Sequence, residues 1–290
     1  MRQTLSLLLL FLLFLPLPGF SADFNGRSLS DWGNDLKSSS QSDRQRATEV
    51  LAHFGTDAVP LLLEALHDPD YKVRHSVTQS LVRIGPPALP KLKPMLDDAD
   101  EDAALRAAEV IAKMGPAGVP VMVDLVKGGY TDSWRRMLTG LHGMTPQGRA
   151  VAVPELVGLL QDPDNEVRER AGMAMRQMGP DAQAAAPFLV QTLVRDPRMR
   201  GMAQSVLIHL GPQIVPILIE SLKDPNPDVR QEVIKTLAAL DKRQTSVALE
   251  VISKLCERDP EQKVRSEAWS ALRRVSGRSL PQGQCQEERR

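Results

Sequence analysis

The chain has 290 residues, 42% of them hydrophobic and 25% charged, which is enough apolar content to bury a core. Its 36 basic and 36 acidic side chains cancel, leaving no excess positive charge for a phosphate backbone, so nucleic acid is not an expected partner. Aromatic residues make up only 4% and are scattered, which argues against a polysaccharide-binding platform.

Residues 1–22 read as a secretory signal peptide. Arg2 gives a positive start, Leu5 to Leu15 is almost all Leu and Phe, and Pro16, Pro18 and Gly19 break the run before Ser21 and Ala22. The apolar run is far shorter than the roughly 20 residues of a membrane-spanning helix, and no later segment is long enough to span. The mature chain is therefore expected to be exported, either periplasmic or secreted. Residues 23–42, with Leu29, Trp32 and Leu36, read as a capping segment, 43–277 as a repeat array, and 278–290 as a disordered polar tail.

Within 43–277 the chain repeats itself about every 30 residues. FGTDAVPLLLEAL from Phe54, IGPPALPKLKPML from Ile84, MGPAGVPVMVDLV from Met114, MGPDAQAAAPFLVQTL from Met178 and LGPQIVPILIESL from Leu210 align on their glycines and prolines. Glycine ends one helix in a left-handed conformation, and Pro60, Pro90, Pro120, Pro154, Pro187 and Pro216 sit in the first turn of the next. Val59, Leu62 and Leu66 recur as Leu89, Leu92 and Leu96 and as Val215, Leu218 and Leu222. Val73, Val77, Leu81 and Ile84 recur as Val167, Ala171, Met175 and Met178 and as Val229, Val233, Leu237 and Leu240. Each set is the buried stripe of an amphipathic helix, and stacked helix pairs bury both stripes.

This G-P-x-A-V-P-x-L-x-x-L-x-D-P-D-x-x-V-R pattern resembles the HEAT repeat in its short bacterial form, the form also found in phycobilisome lyase subunits. The resemblance spans about Arg44 to Gly277. It implies an all-α protein, a right-handed α-α superhelix of about seven helix pairs, used mainly for protein binding along a concave face lined by the second helices. It also implies a structural role for the recurring pairs Asp68 and Arg74, Asp162 and Arg168, Asp224 and Arg230, and Asp259 and Arg265. These would tie turns along the stack, and Arg44 and Arg200 share their register. Recurrent arginine also suits carboxylate or phosphate binding, but the structural ladder is the preferred reading.

Two units depart from the pattern. Ala104 replaces the register arginine beside the acidic run Asp97 to Asp102, and the unit from Gly128 to Gly148 carries five glycines together with Tyr130 and Trp134. The second departure reads as a packing irregularity, a hinge or a binding site, so Tyr130 and Trp134 are candidate partner-binding residues.

No catalytic constellation is visible. The five histidines have no His-Glu pair of the kind that holds iron in HEAT-repeat hydroxylases, and most fall at variable polar slots. Met173, Met175, Met178, Met199 and Met202 raise a copper reading, but three of them occupy core slots. No metal site, cofactor or enzymatic activity is expected. Cys256 and Cys285 are two cysteines on non-metal spacing, open to an intramolecular disulfide, free thiols or a contact between chains.

The remaining candidate is an apolar row one residue after the repeat proline: Leu61, Val121, Phe188 and Ile217. It lies about 100° from the adjacent core position on each second helix. Packing by the next layer of helices would bury it; exposure would make it an interaction site with Phe188 as anchor. The expected function is an exported scaffold with a protein partner of unknown identity. A lyase or other enzyme subunit, or a solenoid binding a small molecule or metal, is the alternative.

Overall fold

A computed structural model describes residues 23–129, 131–240 and 246–276. Apart from one isolated bridge between Phe24 and Arg27, the described residues contain no β-structure. The chain divides between Val110 and Ile111 into two compact units, each built of helical hairpins.

The first unit opens with helix α1 (Leu29–Asp35), capped by Ser28, whose hydroxyl accepts from Asp31 N while the Asp31 side chain reaches back to Ser28 N. Trp32, 3% exposed, seats this helix in the core. Hairpins follow from α2 (Gln41–Leu51) with α3 (Val59–Glu64), and from α4 (Tyr71–Ile84) with α5 (Leu89–Met95). Helix α6 (Glu101–Lys113) carries the chain across the division. The second unit continues with α7 (Val119–Gly128), α8 (Asp132–Gly140), α9 (Pro146–Leu159), α10 (Asn165–Met178), α11 (Ala186–Arg195), α12 (Arg200–His209), α13 (Val215–Ser221), α14 (Pro227–Ala239), α15 (Leu249–Arg258) and α16 (Gln262–Ser276). Among the described residues this gives seven hairpins between α1 and α16, the number the repeat predicts.

The repeat's residue choices do what their chemistry requires. Gly85 ends α4 at φ 81°, ψ −153°, and Gly211 follows α12 at φ 85°, ψ −167°. These are not the left-handed helical values expected from the sequence; φ is positive but ψ is extended, a region open essentially to glycine alone. The extended ψ swings the chain into a short 3₁₀ turn (Pro86–Ala88, Pro212–Ile214) before the next helix starts. The predicted stripes are core: Val59, Leu62 and Leu66 are at most 1% exposed, and Val73, Val77 and Leu81 are fully buried. Each such side chain removed from water contributes about 1.5–3 kcal/mol, which neither helix of a hairpin could obtain alone.

The fourth hairpin corrects the sequence reading. Pro154 does not begin its second helix: α9 starts two turns earlier at Pro146, capped by Thr145, and Pro154 lies inside it. No Gly-Pro pair precedes Pro154 to break the helix there. Gly148 is a packing glycine, since a Cβ added to it would stand 3.0 Å from the Gly115 backbone. Trp134, Met137 and Leu141, spaced for one face of α8 and its 3₁₀ extension, are at most 2% exposed. Trp134 thus fills the core where smaller units place Val, and it is withdrawn from the partner-binding set. Tyr130 lies outside the described residues, as do residues 1–22 and 278–290.

Candidate interaction surface

The turns between hairpins form a ladder of guanidinium and carboxylate groups. Four arginines hold their own turn: Arg74, Arg168, Arg230 and Arg265 each donate Nη1 to the carbonyl of the Asp six residues earlier, at 2.6–2.8 Å, and to the following Pro carbonyl. The other edge of the fork reaches the next turn. Arg44 grips Asp68 with Nε and Nη2 at 2.7 and 3.0 Å, and Arg230 grips Asp259 at 2.8 and 2.9 Å. The geometry is bidentate and the Arg230 pair is buried, with side chains 9% and 2% exposed. Each carboxylate also caps its own turn, as Asp68 does by accepting from Asp70 N.

The ladder is uneven. Asp102, not Asp98, meets Arg74: Nε lies 2.7 Å from its Oδ2 but out of line for a hydrogen bond, and Arg106 binds the same oxygen at 2.8 Å. Asp98 instead accepts from His67 at 3.1 Å. Arg200 donates to the Leu193 carbonyl and lies 3.7 Å from Glu232. Burial acts to raise the Asp68 pKa, but the hydrogen bond from Arg44 and the charges of Arg44 and Arg74 outweigh it and hold the carboxyl below its usual range. Burial likewise opposes ionisation at Asp102, where Arg106 and Arg74 prevail. The bond to Asp98 raises the His67 pKa against partial burial.

The apolar row takes an intermediate position between the two expectations. Leu61, Val121, Phe188 and Ile217 are all half-buried. The residues that follow three of them, Met122, Leu189 and Leu218, are fully buried, as is Leu62 after Leu61. The 100° step per residue therefore carries each helix from core to a margin that the hairpins do not close. In the first unit Leu61 lies under α1, within 3.0 Å of where a Cβ on Gly33 would stand. Beside it is an open groove of about 290 Å³ lined by Gly33, Leu36, Lys37, Leu61, Glu64 and His67, among others. In the second unit Val121, Phe188 and Ile217 form the row.

Sequence reasoning missed two features. Tyr71 is 61% exposed, stacks on His75 with ring centroids 6.0 Å apart and has the Arg106 guanidinium 5.2 Å over its ring. Arg170 is 1% exposed and donates to the Val126 carbonyl at 2.5 Å, closing the end of α7 where no Asp-Pro turn follows. Its place beside the core residue Ala171 is the sequence signal that could have marked it. Cys256 is disulfide-bonded; Cys285 lies outside the described residues. Met175, Met178 and Met199 are at most 5% exposed, and Met202 packs against Gly172. Among the described residues no three His, Cys, Asp or Glu side chains converge as metal ligands, and no single helix is long and apolar enough to cross a membrane.

None of the curated protein sequences matches the chain. Among solved structures, human deoxyhypusine hydroxylase in complex with glycerol is similar at 22% identity, over 86% of this chain and 96% of that one, with a TM-score of 0.33. The complex of CpcE and CpcF of phycocyanin lyase from Nostoc sp. PCC7120 is similar at 19% identity, over 90% and 100%, with a TM-score of 0.30. The karyopherin Kap121p bound to the extreme C-terminus of the protein phosphatase Cdc14p is similar at 14% identity, over 86% and 33%, with a TM-score of 0.37. At these values the likeness identifies no activity. The family model for HEAT repeats matches residues 30–112 and 186–273, more than half of the chain, and leaves out the irregular fourth hairpin. With its helical hairpins, Gly-Pro breaks and turn ladder, the chain belongs to the HEAT-repeat family.

Proposed function

We propose that the chain is an exported scaffold that binds a protein partner along the concave, second-helix face of its second unit, with Phe188 as the anchor. The observation that carries this reading is the half-buried row Val121, Phe188 and Ile217 beside fully buried neighbours. The hairpins use only part of these side chains, and a partner that covered the rest would gain apolar burial at a site already rigid. HEAT repeats are commonly protein-binding, which agrees with this use. The apolar stretch from Leu5 to Leu15 and the disulfide at Cys256 support export.

Binding rather than catalysis is the preferred reading. Its test is affinity capture from the extracytoplasmic fraction, using the mature chain beside a Phe188→Asp variant with unchanged circular dichroism and melting. The reading predicts a protein recovered by the first and lost with the second. Equal recovery by both removes Phe188 from the interface, and a variant that does not fold would place Phe188 in the core.

A further inference from the structure

The turn ladder repeats one device, a guanidinium fork that holds its own turn with one edge and the next turn's carboxylate with the other. At Arg168 the first half is present and the second is missing. Nη1 donates to the Asp162 and Pro163 carbonyls at 2.7 and 3.0 Å, and Nη2 donates to Asn165 Oδ1 at 3.0 Å. Nε is buried and has no partner, in a residue only 8% exposed. In Arg44 and Arg230 the same atom carries one of the two bonds to a carboxylate.

The acid that would complete the rung is Asp196, and the length of its turn explains the gap. Six residues separate Asp from Arg at Asp68, Asp162, Asp224 and Asp259, but only four separate Asp196 from Arg200. Helix α12 consequently begins after Met199 with no side-chain cap, and the Asp196 carboxylate stays in its own turn, accepting from Arg198 N at 3.0 Å. The short turn also has the opposite charge pattern. Its neighbours in the array carry at least two acids each, whereas Arg195, Arg198 and Arg200 surround the single Asp196. Arg195 and Arg198 are exposed. Met202 of α12 packs directly over Gly172 of α10; Arg168 precedes Gly172 by one turn of α10, and Arg198 lies in the turn that leads into α12.

We propose that this basic turn receives a carboxylate from an acidic segment of a protein partner, which takes at Arg168 the place that Asp68 and Asp259 take at complete rungs. A guanidinium fork favours a carboxylate through two parallel charge-assisted bonds, and Arg195 and Arg198 hold the segment at the rim. The inference rests on the docking reading above and deepens it. Phe188 and Arg195 share a face of α11, seven residues and about 10 Å apart, so about three residues of extended peptide connect an apolar contact at Phe188 with an acid at the turn.

The test uses the mature full chain and a fluorescein-labelled peptide carrying one Leu and, three residues on, a Glu-Asp pair, beside a twin with Gln-Asn in their place. Anisotropy is expected to show the acidic peptide bound about tenfold or more tightly than the twin. Arg195→Ala with Arg198→Ala should abolish the difference, Arg168→Gln should reduce it, and millimolar inorganic phosphate should leave the peptide bound. If Arg168→Gln does not fold, the exposed double substitution decides. Equal binding of the two peptides, an acid preference that survives the double substitution, or complete displacement by phosphate would overturn the inference, as would no binding of either. A twin that binds as tightly as the acidic peptide but is lost with Phe188→Asp would sink this inference while sparing the docking reading.

Discussion

Asp259 and Asp162 hold the same place in the sequence motif, yet their removal should cost very different amounts. The Asp259 carboxylate accepts from Arg230 Nε at 2.8 Å, Arg230 Nη2 at 2.9 Å and Glu261 N at 3.0 Å. Asp259→Ala leaves a buried guanidinium without its counter-charge, a loss of about 3–5 kcal/mol. The Asp162 carboxylate accepts only from Asp164 N at 2.9 Å, so Asp162→Ala loses about 1 kcal/mol. Because repeat arrays unfold in parts, the comparison calls for native-state hydrogen exchange rather than one melting temperature. Exchange in α14 and α16 should accelerate about a hundredfold or more in Asp259→Ala, with a far smaller change around α10 in Asp162→Ala. A combined Arg230→Met and Asp259→Leu variant should recover most of the loss, since both charges leave together. If the two Asp variants lost the same stability, the bidentate rung would not be what holds these turns.

Other outcomes follow from the same geometry. Gly118→Ala places a Cβ 2.1 Å from the Ile111 carbonyl oxygen, so thermal melting should show a loss above about 2 kcal/mol; Gly158→Ala, which faces open space inside α9, should gain about 0.5–1 kcal/mol. The Asp68 carboxyl titrates below its unfolded value, so its contribution is present above pH about 4 and is lost as pH falls through the lower folded value; Asp68→Asn should flatten the acid limb of stability against pH. His67 behaves oppositely, because its folded pKa is raised. Its contribution is complete below pH about 6.5 and disappears as pH rises through the raised value. Melting of His67→Gln across this range should lack that decline, and imidazole titration by NMR gives the direct check.

The helix pairs were legible because the code for them is local. Glycine and proline punctuate each hairpin, and the apolar residues recur at helical spacing, so burial of Val59, Leu62, Val73 and Val77 follows from the sequence. The fourth hairpin was not legible, because the start of its second helix at Pro146 depends on a missing Gly-Pro break and its core on Trp134 standing in for a smaller residue. The candidate site was half legible. Periodicity placed Phe188 and Ile217 beside the core but could not say how far the next hairpin would cover them. The partial ladder was hidden for a different reason: the Arg register is conspicuous in sequence, whereas its completion at Arg168 depends on a turn two residues shorter at Asp196.

The most direct test of the docking account is site-specific photo-crosslinking. A photoreactive residue would be placed at Phe188, at Ile217 and, on the exposed side of α10, at Arg176. The account predicts that the partner crosslinks from positions 188 and 217 and not from 176. Crosslinking from 176 alone would contradict it and move the interface to the first helices.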